Sequence, residues 1–272
     1  MSKISVIIPA YNAQDTIERA LLSVIRQEGA FDFQIIVIDD GSSDSTAEKV
    51  TKFAQEHNIN IDLIRQANTG VATARNNGIR RSCGQYIAFL DADDEWRNEK
   101  TQKQMTFLTN SDYFVVGGGY QNRFISADDR GDHIHVTYQM QLMKQYFQPS
   151  TVIMRKEVFN VIDGFAEGRR YSEDALFFYY VTHQFKSAVL RDNIISYADD
   201  KHPYASGAGL GAKLWKMETG ELSNYTELMD KKLITVPKYF FLVAFSLLKF
   251  FRRLFISRIY KLRMKNGDRN EK

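Results

Sequence analysis

The sequence predicts an α/β protein: a mostly parallel central sheet of the Rossmann-like kind, flanked by helices and followed by a helical C-terminal extension. Three observations lead there. Short runs rich in Ile, Val and aromatic residues alternate with amphipathic stretches through residues 4–90, polar clusters follow three of those runs, and charge divides unevenly along the chain.

Residues 4–8, 33–38, 61–65 and 86–90 are short apolar runs and read as buried strands. Between them, 14–27 places Ile17, Leu21, Leu22 and Ile25 on one helical face. Residues 45–57 follow a Ser/Asp cluster suited to capping a helix, and 70–82 form the third helical pattern. Strands and helices alternating at this spacing make parallel pairs with right-handed crossovers. Beyond Asp94 the rhythm loosens. A helix is expected over 98–109, then strands over 113–116 and 120–126 around a turn at 117–119, and a polar loop at 128–132. A strand over 151–155 precedes a short helix over 156–162, which Asp163-Gly164-Phe165 stops. A helix over 173–184 and extended pieces at 188–190 and 194–197 follow. Residues 201–211 carry Pro203, Gly207, Gly209 and Gly211 and read as a loop. Helices over 213–230 and 238–263 complete the chain, with Pro237 at the boundary between them.

With 272 residues, 44% hydrophobic and 25% charged, the chain has the composition of a globular protein, which excludes disorder over most of its length. One cysteine, Cys83, excludes an internal disulfide and a cysteine-only metal site, and it fits a reducing, cytoplasmic compartment. At a helix end before Gly84, Cys83 is expected to be a packing residue. Pro9 ends the first apolar run without a cleavage site after it, so no secretory signal is expected. The longest apolar run, 239–248, falls short of the roughly 20 residues a membrane span needs. The Asn-Tyr-Thr sequon at Asn224 is therefore read as chance.

Chemistry gathers where the early strands end. The first closes in Pro9-Ala10-Tyr11-Asn12, the second in Asp39-Asp40-Gly41-Ser42, and the fourth in Asp91-Ala92-Asp93-Asp94. Ligands of open parallel sheets bind outside the carboxyl ends of the strands, so these clusters should share one edge. Asp91, Asp93 and Asp94 concentrate oxygen ligands of the kind Mg²⁺ or Mn²⁺ accepts while leaving positions for water and phosphate. An acidic turn capping the next helix is the competing reading. In the segment Ala67 to Asn76, Gly70 allows close backbone approach, a helix N-terminus follows, and Arg75 stands just over one turn in. For Arg75, an ordinary surface arginine is the alternative. No Walker loop and no Gly-x-Gly-x-x-Gly opens the first helix, which removes P-loop and dinucleotide-dehydrogenase readings. His133 and His135, with Asp132, have the spacing of one strand face but read as an exposed edge or loop rather than metal ligands. His57 and His183 read as helix-surface residues.

Taken together, Val-Ile-Ile-Pro-Ala-Tyr-Asn, Ile-Val-Ile-Asp-Asp-Gly-Ser-Ser-Asp, Asn-Thr-Gly-Val-Ala-Thr-Ala-Arg-Asn, Phe-Leu-Asp-Ala-Asp-Asp and Ser-Glu-Asp resemble the inverting, nucleotide-sugar-dependent glycosyltransferases of family 2, with the GT-A fold. The resemblance covers about residues 5–197. It implies a catalytic domain over 1–212, with a nucleotide-sugar half at about 1–97 and an acceptor half at about 98–212, followed by the extension 213–272. It implies that Pro9, Tyr11 and Asp39 form a nucleobase pocket, with Tyr11 stacking on the base and Asp39 accepting a ring N–H. Asn12 and Asp40 would belong to the same donor site. Asp91 would be the ribose- or metal-side member of the Asp-x-Asp pair and Asp93 the direct ligand of Mn²⁺ or Mg²⁺, and Arg75 would face the diphosphate. Asp174 resembles the catalytic base, with Glu173 supporting it or meeting the acceptor, and His202 a late loop closing over the diphosphate. The donor implied is a UDP-sugar and the acceptor a glycan or lipid-linked oligosaccharide of bacterial surface polysaccharide or lipopolysaccharide assembly. Two rivals stand beside it: a sugar nucleotidyltransferase, which would show a Gly-rich loop where Pro9-Ala10-Tyr11-Asn12 stands, and a catalytically silent, membrane-tethered nucleotide-sugar-binding subunit.

Residues 231–272 hold 12 Lys and Arg against 2 acidic residues, whereas the preceding 230 hold 24 against 31. A basic, aromatic helix suggests contact with an anionic membrane, peripheral on the cytosolic face of the inner membrane. Projected at about 100° per residue, Lys249, Arg252 and Arg253 share one face. Docking onto the catalytic body and a homo-oligomer contact are the alternatives. Nucleic acid is not expected as a partner, because the body is acidic.

Overall fold

The computed structural model describes residues 3–120, 131–197 and 214–267, with side chains described as far as 256 apart from Tyr197. His202, the Gly207–Gly209–Gly211 loop and residues 121–126 of the strand expected over 120–126 lie outside the described residues. In chain order the elements are β1 (Lys3–Ala10), α1 (Ile17–Ile25), β2 (Asp32–Asp39), α2 (Thr46–Glu56), β3 (Ile61–Arg65), α3 (Val71–Arg81), β4 (Tyr86–Phe89) and β5 (Asp94–Trp96). Then come α4 (Lys100–Thr109), β6 (Val115–Gly119), β7 (His133–Val136), α5 (Tyr138–Met143), β8 (Ile153–Arg155), α6 (Glu173–Gln184), β9 (Ser187–Asn193) and β10 (Ile195–Tyr197). Helices α7 (Leu214–Asp230) and α8 (Val236–Gly267) end the series, and 3₁₀ turns cover Pro149–Thr151 and Lys156–Asn160.

The strands form an eight-stranded sheet in the order β3-β2-β1-β4-β8-β6-β9-β7 and a two-stranded sheet of β10 with β5. The first four strands pair in parallel, β8 runs antiparallel to β4 and β6, β6 is parallel to β9, and β7 is antiparallel to β9. Strand β1 is buried from Ile4 to Ala10 because helices cover both faces. Ile4, Val6 and Ile8 pack with Leu21 and Val24 of α1 and Val50 and Phe53 of α2. Ile7, Ile36 and Ile38 face the other way, toward Ala72 and Ala74 of α3 and Phe177 and Phe178 of α6.

Two expectations fail here. Residues 117–119 are the end of β6, an interior strand, not a turn. A Cβ on Gly118 would stand 2.2 Å from Ile194, and one on Gly117 2.9 Å from Phe147, so these glycines admit neighbouring side chains rather than bend the chain. Cys83 is exposed and free, with its thiol 3.1 Å from the Gln34 side-chain oxygen, so it is not a packing residue. Elements β5 and α5 carried no readable pattern, and β7 showed only the one-face spacing of His133 and His135. Asp94–Trp96 holds two acids and becomes a strand only because Ile195–Tyr197 arrives to pair with it.

The chain divides into two compact units, Met1–Gly168 with Leu176–Ala198, and Arg169–Ala175 with Asp199–Lys272. Within the second, α7 and α8 pack through Tyr225, Leu228, Leu242 and Phe250, all buried, and Trp215 meets Phe250 edge-on. Pro237 lies in the first turn of α8, where a missing N–H costs no intrahelical bond.

Candidate functional site

The first unit carries a polar rim along the carboxyl ends of β3, β2, β1 and β4. Register fixes it. Ala10 pairs with Asp39 and Asp39 with Arg65, while Ile7 pairs with Phe89, so residues 10–12, 39–42 and 90–93 emerge side by side. The strand order reverses at β1, with β2 and β3 on one side and β4 on the other, which is where open α/β sheets bind ligands. Pro9 suits this place. Ile7 accepts the last bond from β4, through Leu90 N at 3.0 Å, so the next residue facing that side, Pro9, has no partner strand to serve.

Tyr11 stands at the rim with 54% of its surface exposed, an aromatic face open to a planar ligand. Asp39 lies beside it, buried, with Ser42 N on one oxygen at 2.9 Å and Arg65 Nε on the other at 3.1 Å. Each oxygen keeps further acceptor capacity. Asn12 adopts a left-handed conformation (φ 49°), and its side-chain oxygen accepts from Ser43 N at 2.9 Å while its own N–H donates to Ser42 Oγ at 3.0 Å. Ala13 N bonds Thr46 Oγ1 and Gln14 N bonds Asp44, so the loops after β1 and β2 are stitched together.

Asp40 is buried and serves the next loop. One carboxylate oxygen accepts from Gln66 Nε2 at 2.7 Å and Thr69 N at 2.9 Å, the other from Gly70 N at 2.9 Å. Gly70 precedes α3 with φ 97°, a conformation that favours glycine. Asp40 thereby fixes the loop that leads into the N-terminus of α3, the end of a helix suited to anions.

Arg75 is not the surface arginine that composition allowed. It is buried, its Nη2 lies 2.8 Å from an Asp91 oxygen, and its guanidinium lies 5.1 Å from the Phe165 ring centroid. Its neighbour Asn76, also buried, donates to Phe165 O and accepts from Phe165 N, both at 2.8 Å, holding the segment that stops the short 3₁₀ turn.

Asp91, Asp93 and Asp94 have three different environments. Asp91 is half-buried and tied to Arg75; Asp93 is exposed, its backbone carbonyl accepting from Arg19 at 3.3 Å; Asp94 is buried. Burial, then the nearby Asp91 charge, pushes the Asp94 carboxyl up to about 8. Asp94 is enclosed, whereas Asp91 and Asp93 reach the surface of the rim as oxygen donors. Two carboxylates suit a hard cation that completes its shell with phosphate and water. Among the described residues no three His, Cys, Asp or Glu converge as a self-contained metal cage.

Ser150 and Arg19 escaped the sequence reading. Ser150 Oγ accepts from Asp91 N at 3.0 Å and its carbonyl from Trp96 Nε1 at 2.9 Å, so it supports the acidic turn from 59 residues away. No local signal marks it. Lys100 lies fully buried over the Trp96 ring at 3.9 Å, and burial drives its ammonium pKa well below the usual value.

Glu173 and Asp174 open α6 and belong to the second unit, where Glu173 is buried. The preceding Ser172 has a left-handed backbone (φ 58°) held by α7: Asn224 Nδ2 donates to its carbonyl at 2.8 Å and its hydroxyl donates to Met217 O at 3.2 Å. Gly220 lets this turn approach, since a Cβ there would lie 2.8 Å from Tyr171 O. Asn224, the sequon residue, is fully buried in this role. His133 and His135 lie on edge strand β7, bonded to Asp132 at 3.0 Å and Tyr113 at 3.2 Å, and packed among aromatic rings.

The model of the family described as Glycosyl transferase family 2 matches residues 5–177, well over half the chain. Among curated relatives, a putative teichuronic acid biosynthesis glycosyltransferase, TuaG of Bacillus subtilis, is 38% identical over 106 residues, 39% of this chain and 41% of that protein. The UDP-Glc:alpha-D-GlcNAc-diphosphoundecaprenol beta-1,3-glucosyltransferase WfgD of Escherichia coli is 36% identical over 118 residues, 43% of this chain and 46% of that protein. The chain thus spans less than half the length of these two relatives. Among solved structures, S. aureus TarS 1-349 in complex with UDP-GlcNAc superposes with a TM-score of 0.66 at 20% identity, covering 90% of this chain and 71% of that one. The mannosyltransferase PcManGT from Pyrobaculum calidifontis, in complex with GDP-Man and Mn²⁺, gives 0.68 at 16% identity, covering 92% and 70%. At these identities the likeness is one of fold, and it bears out the GT-A architecture.

Proposed function

Because the chain belongs to glycosyl transferase family 2, we propose that it transfers a sugar, with inversion, from a nucleoside-diphosphate donor of the UDP-sugar type to a glycan or lipid-linked oligosaccharide in the building of a cell-surface polysaccharide. The observation that carries this reading is the register that brings Tyr11, Asp39 and Asp91 to adjacent strand ends at the switch point of the sheet. The relatives named for polysaccharide and lipid-linked sugar synthesis support the substrate class, and the neighbours holding UDP-GlcNAc and GDP-Man support the donor class.

Tyr11 stacks on the nucleobase and Asp39, kept in place by Ser42 and Arg65, accepts its ring N–H. Pro9 and Asn12 shape the pocket, and Asp40, by accepting from the Thr69 and Gly70 amides, holds in place the loop that leads into α3. Arg75 orients Asp91 and adds positive charge beneath the phosphates. Asp93, with Asp91, would hold Mn²⁺ or Mg²⁺, which when bound offsets the charge of the leaving diphosphate. Asp174 takes the proton from the acceptor hydroxyl as its oxygen bonds to the sugar C1 and the bond from C1 to the phosphate oxygen breaks; Glu173 supports it. Such a proton transfer contributes ~10²–10⁴-fold. His202 closes over the donor in the same scheme. The enzyme works at the cytosolic face of a membrane, reached through its C-terminal helices.

The test is a panel of nucleotide sugars screened for Mn²⁺-dependent hydrolysis and thermal stabilisation. Asp93→Ala is expected to abolish metal-dependent donor binding, and Asp174→Asn to keep donor binding while losing transfer. Wild-type transfer by Asp174→Asn overturns the base assignment, and a panel in which no nucleotide sugar binds overturns the function.

A further inference from the structure

Among the described residues, helix α8 is apolar on two opposite faces, and one of them packs against α7. Leu242, Ser246 and Phe250 are buried on the face toward α7, and Arg253 joins them there, its Nη2 2.7 Å from the fully buried Glu218. That ion pair, together with the Trp215–Phe250 ring contact, sets the rotation of the helix. Phe240, Phe241, Leu248, Phe251, Leu254 and Phe255 are then exposed, Phe240 at 64%, Phe251 at 62% and Phe255 at 67%. At about 100° per residue these six fall within an arc of about 140° on the side away from α7. No charged or polar residue of 236–256 lies in that arc. Arg252, exposed, borders it, while Lys249 is drawn over the Phe245 ring at 4.8 Å. Arg252 thus borders the outward face, while Lys249 and Arg253 turn away from it.

We propose that the outward face of α8 lies in the plane of an anionic lipid bilayer, its phenylalanines among the acyl chains and Arg252 at its border among the headgroups. The stripe from Phe240 to Phe255 is about 22 Å long at ~1.5 Å per residue, suited to an interfacial helix. Among the described residues no helix is long and apolar enough to cross a membrane. A second copy is the weaker occupant. Residues 231–272 carry 12 basic against 2 acidic residues, so pairing two such faces would bring like charges together, whereas an anionic surface complements them. The inference deepens the reading of a membrane-side glycosyltransferase and adds one point to it: the Ser172-Glu173-Asp174 motif belongs to the same compact unit as this face. A lipid-linked acceptor and the proposed base are thus served by one unit.

The test uses the full chain and no sugar chemistry, so its failure is separable from failure of the transferase reading. Vesicles of phosphatidylcholine with about 30% phosphatidylglycerol are expected to bind the protein, and pure phosphatidylcholine to bind it far more weakly. The triple variant Phe240→Ser, Phe251→Ser, Phe255→Ser should lose binding by at least ~10-fold per ring removed, with an unchanged circular dichroism spectrum. As a second readout, Phe251→Trp should show more quenching by brominated lipids than the wild-type protein. Wild-type pelleting by the triple variant, or no added quenching, overturns the proposal. So does a lipid-free dimer that the triple variant dissociates, which would assign the face to a second copy.

Discussion

Asp40 decides whether the loop between β3 and α3 is held ready for a donor. Removing its side chain in Asp40→Ala deletes three close bonds, from Gln66 at 2.7 Å and from the Thr69 and Gly70 amides at 2.9 Å each. Hydrogen bonds to charged groups contribute about 1.5–3 kcal/mol each, and water at this half-open loop restores part of that, so the expected loss is about 3 kcal/mol. Asp40→Asn keeps an acceptor for Gln66 and Thr69 but turns an amide NH₂ toward Gly70 N–H, and should cost about 1–2 kcal/mol. Urea denaturation measures both losses, and hydrogen exchange at Thr69 and Gly70 localises them. In both variants those two amides should exchange faster while amides of β1 keep their protection, and donor affinity should fall in the same order. An Asp40→Ala protein within about 0.5 kcal/mol of wild type, with Thr69 and Gly70 still protected, would refute the assignment, because additional bonds would then have to hold the loop.

Two further outcomes follow from the same structure. Asp94 has its carboxyl raised to about 8 by burial and by Asp91, far above the ordinary carboxylate range. A proton held in the fold but released on unfolding favours the fold at low pH, and that contribution is lost as pH rises through about 8; Asp94→Asn should therefore flatten the fall in unfolding free energy between about pH 5 and about pH 8.5, and an identical slope in both proteins would contradict it. Gly118→Ala should destabilise by about 1–3 kcal/mol, because its Cβ meets Ile194 at 2.2 Å, and Ile194→Val should recover part of that loss in the double variant; strict additivity would deny the contact.

The donor half of the molecule was legible because its information is local and the topology rule does the rest. Each strand from β1 to β4 announces itself as an apolar run, and a parallel order with right-handed crossovers leaves the polar clusters after Ala10, Asp39 and Phe89 at one edge. What each residue does at that edge was less legible, since roles depend on neighbours that no motif names. Asp39 and Asp40 are adjacent, yet one is held by Ser42 and Arg65 and the other holds the start of α3. Arg75 is buried because Phe165, ninety positions on, comes to lie against it, and Ser150 reaches the acidic turn from an equally unmarked segment. Helix α8 makes the point most sharply. Its sequence places Lys249, Arg252 and Arg253 on one side, but with apolar residues on opposite faces, periodicity alone leaves open which side faces inward. The choice is made at the contact with α7, where Glu218 pairs with Arg253 and Trp215 meets Phe250, and Phe251 and Phe255 are left facing out. If that pair sets the rotation, replacing both partners by apolar residues of similar size should keep the helices packed yet let α8 turn, and the outward arc of phenylalanines would lose its definition.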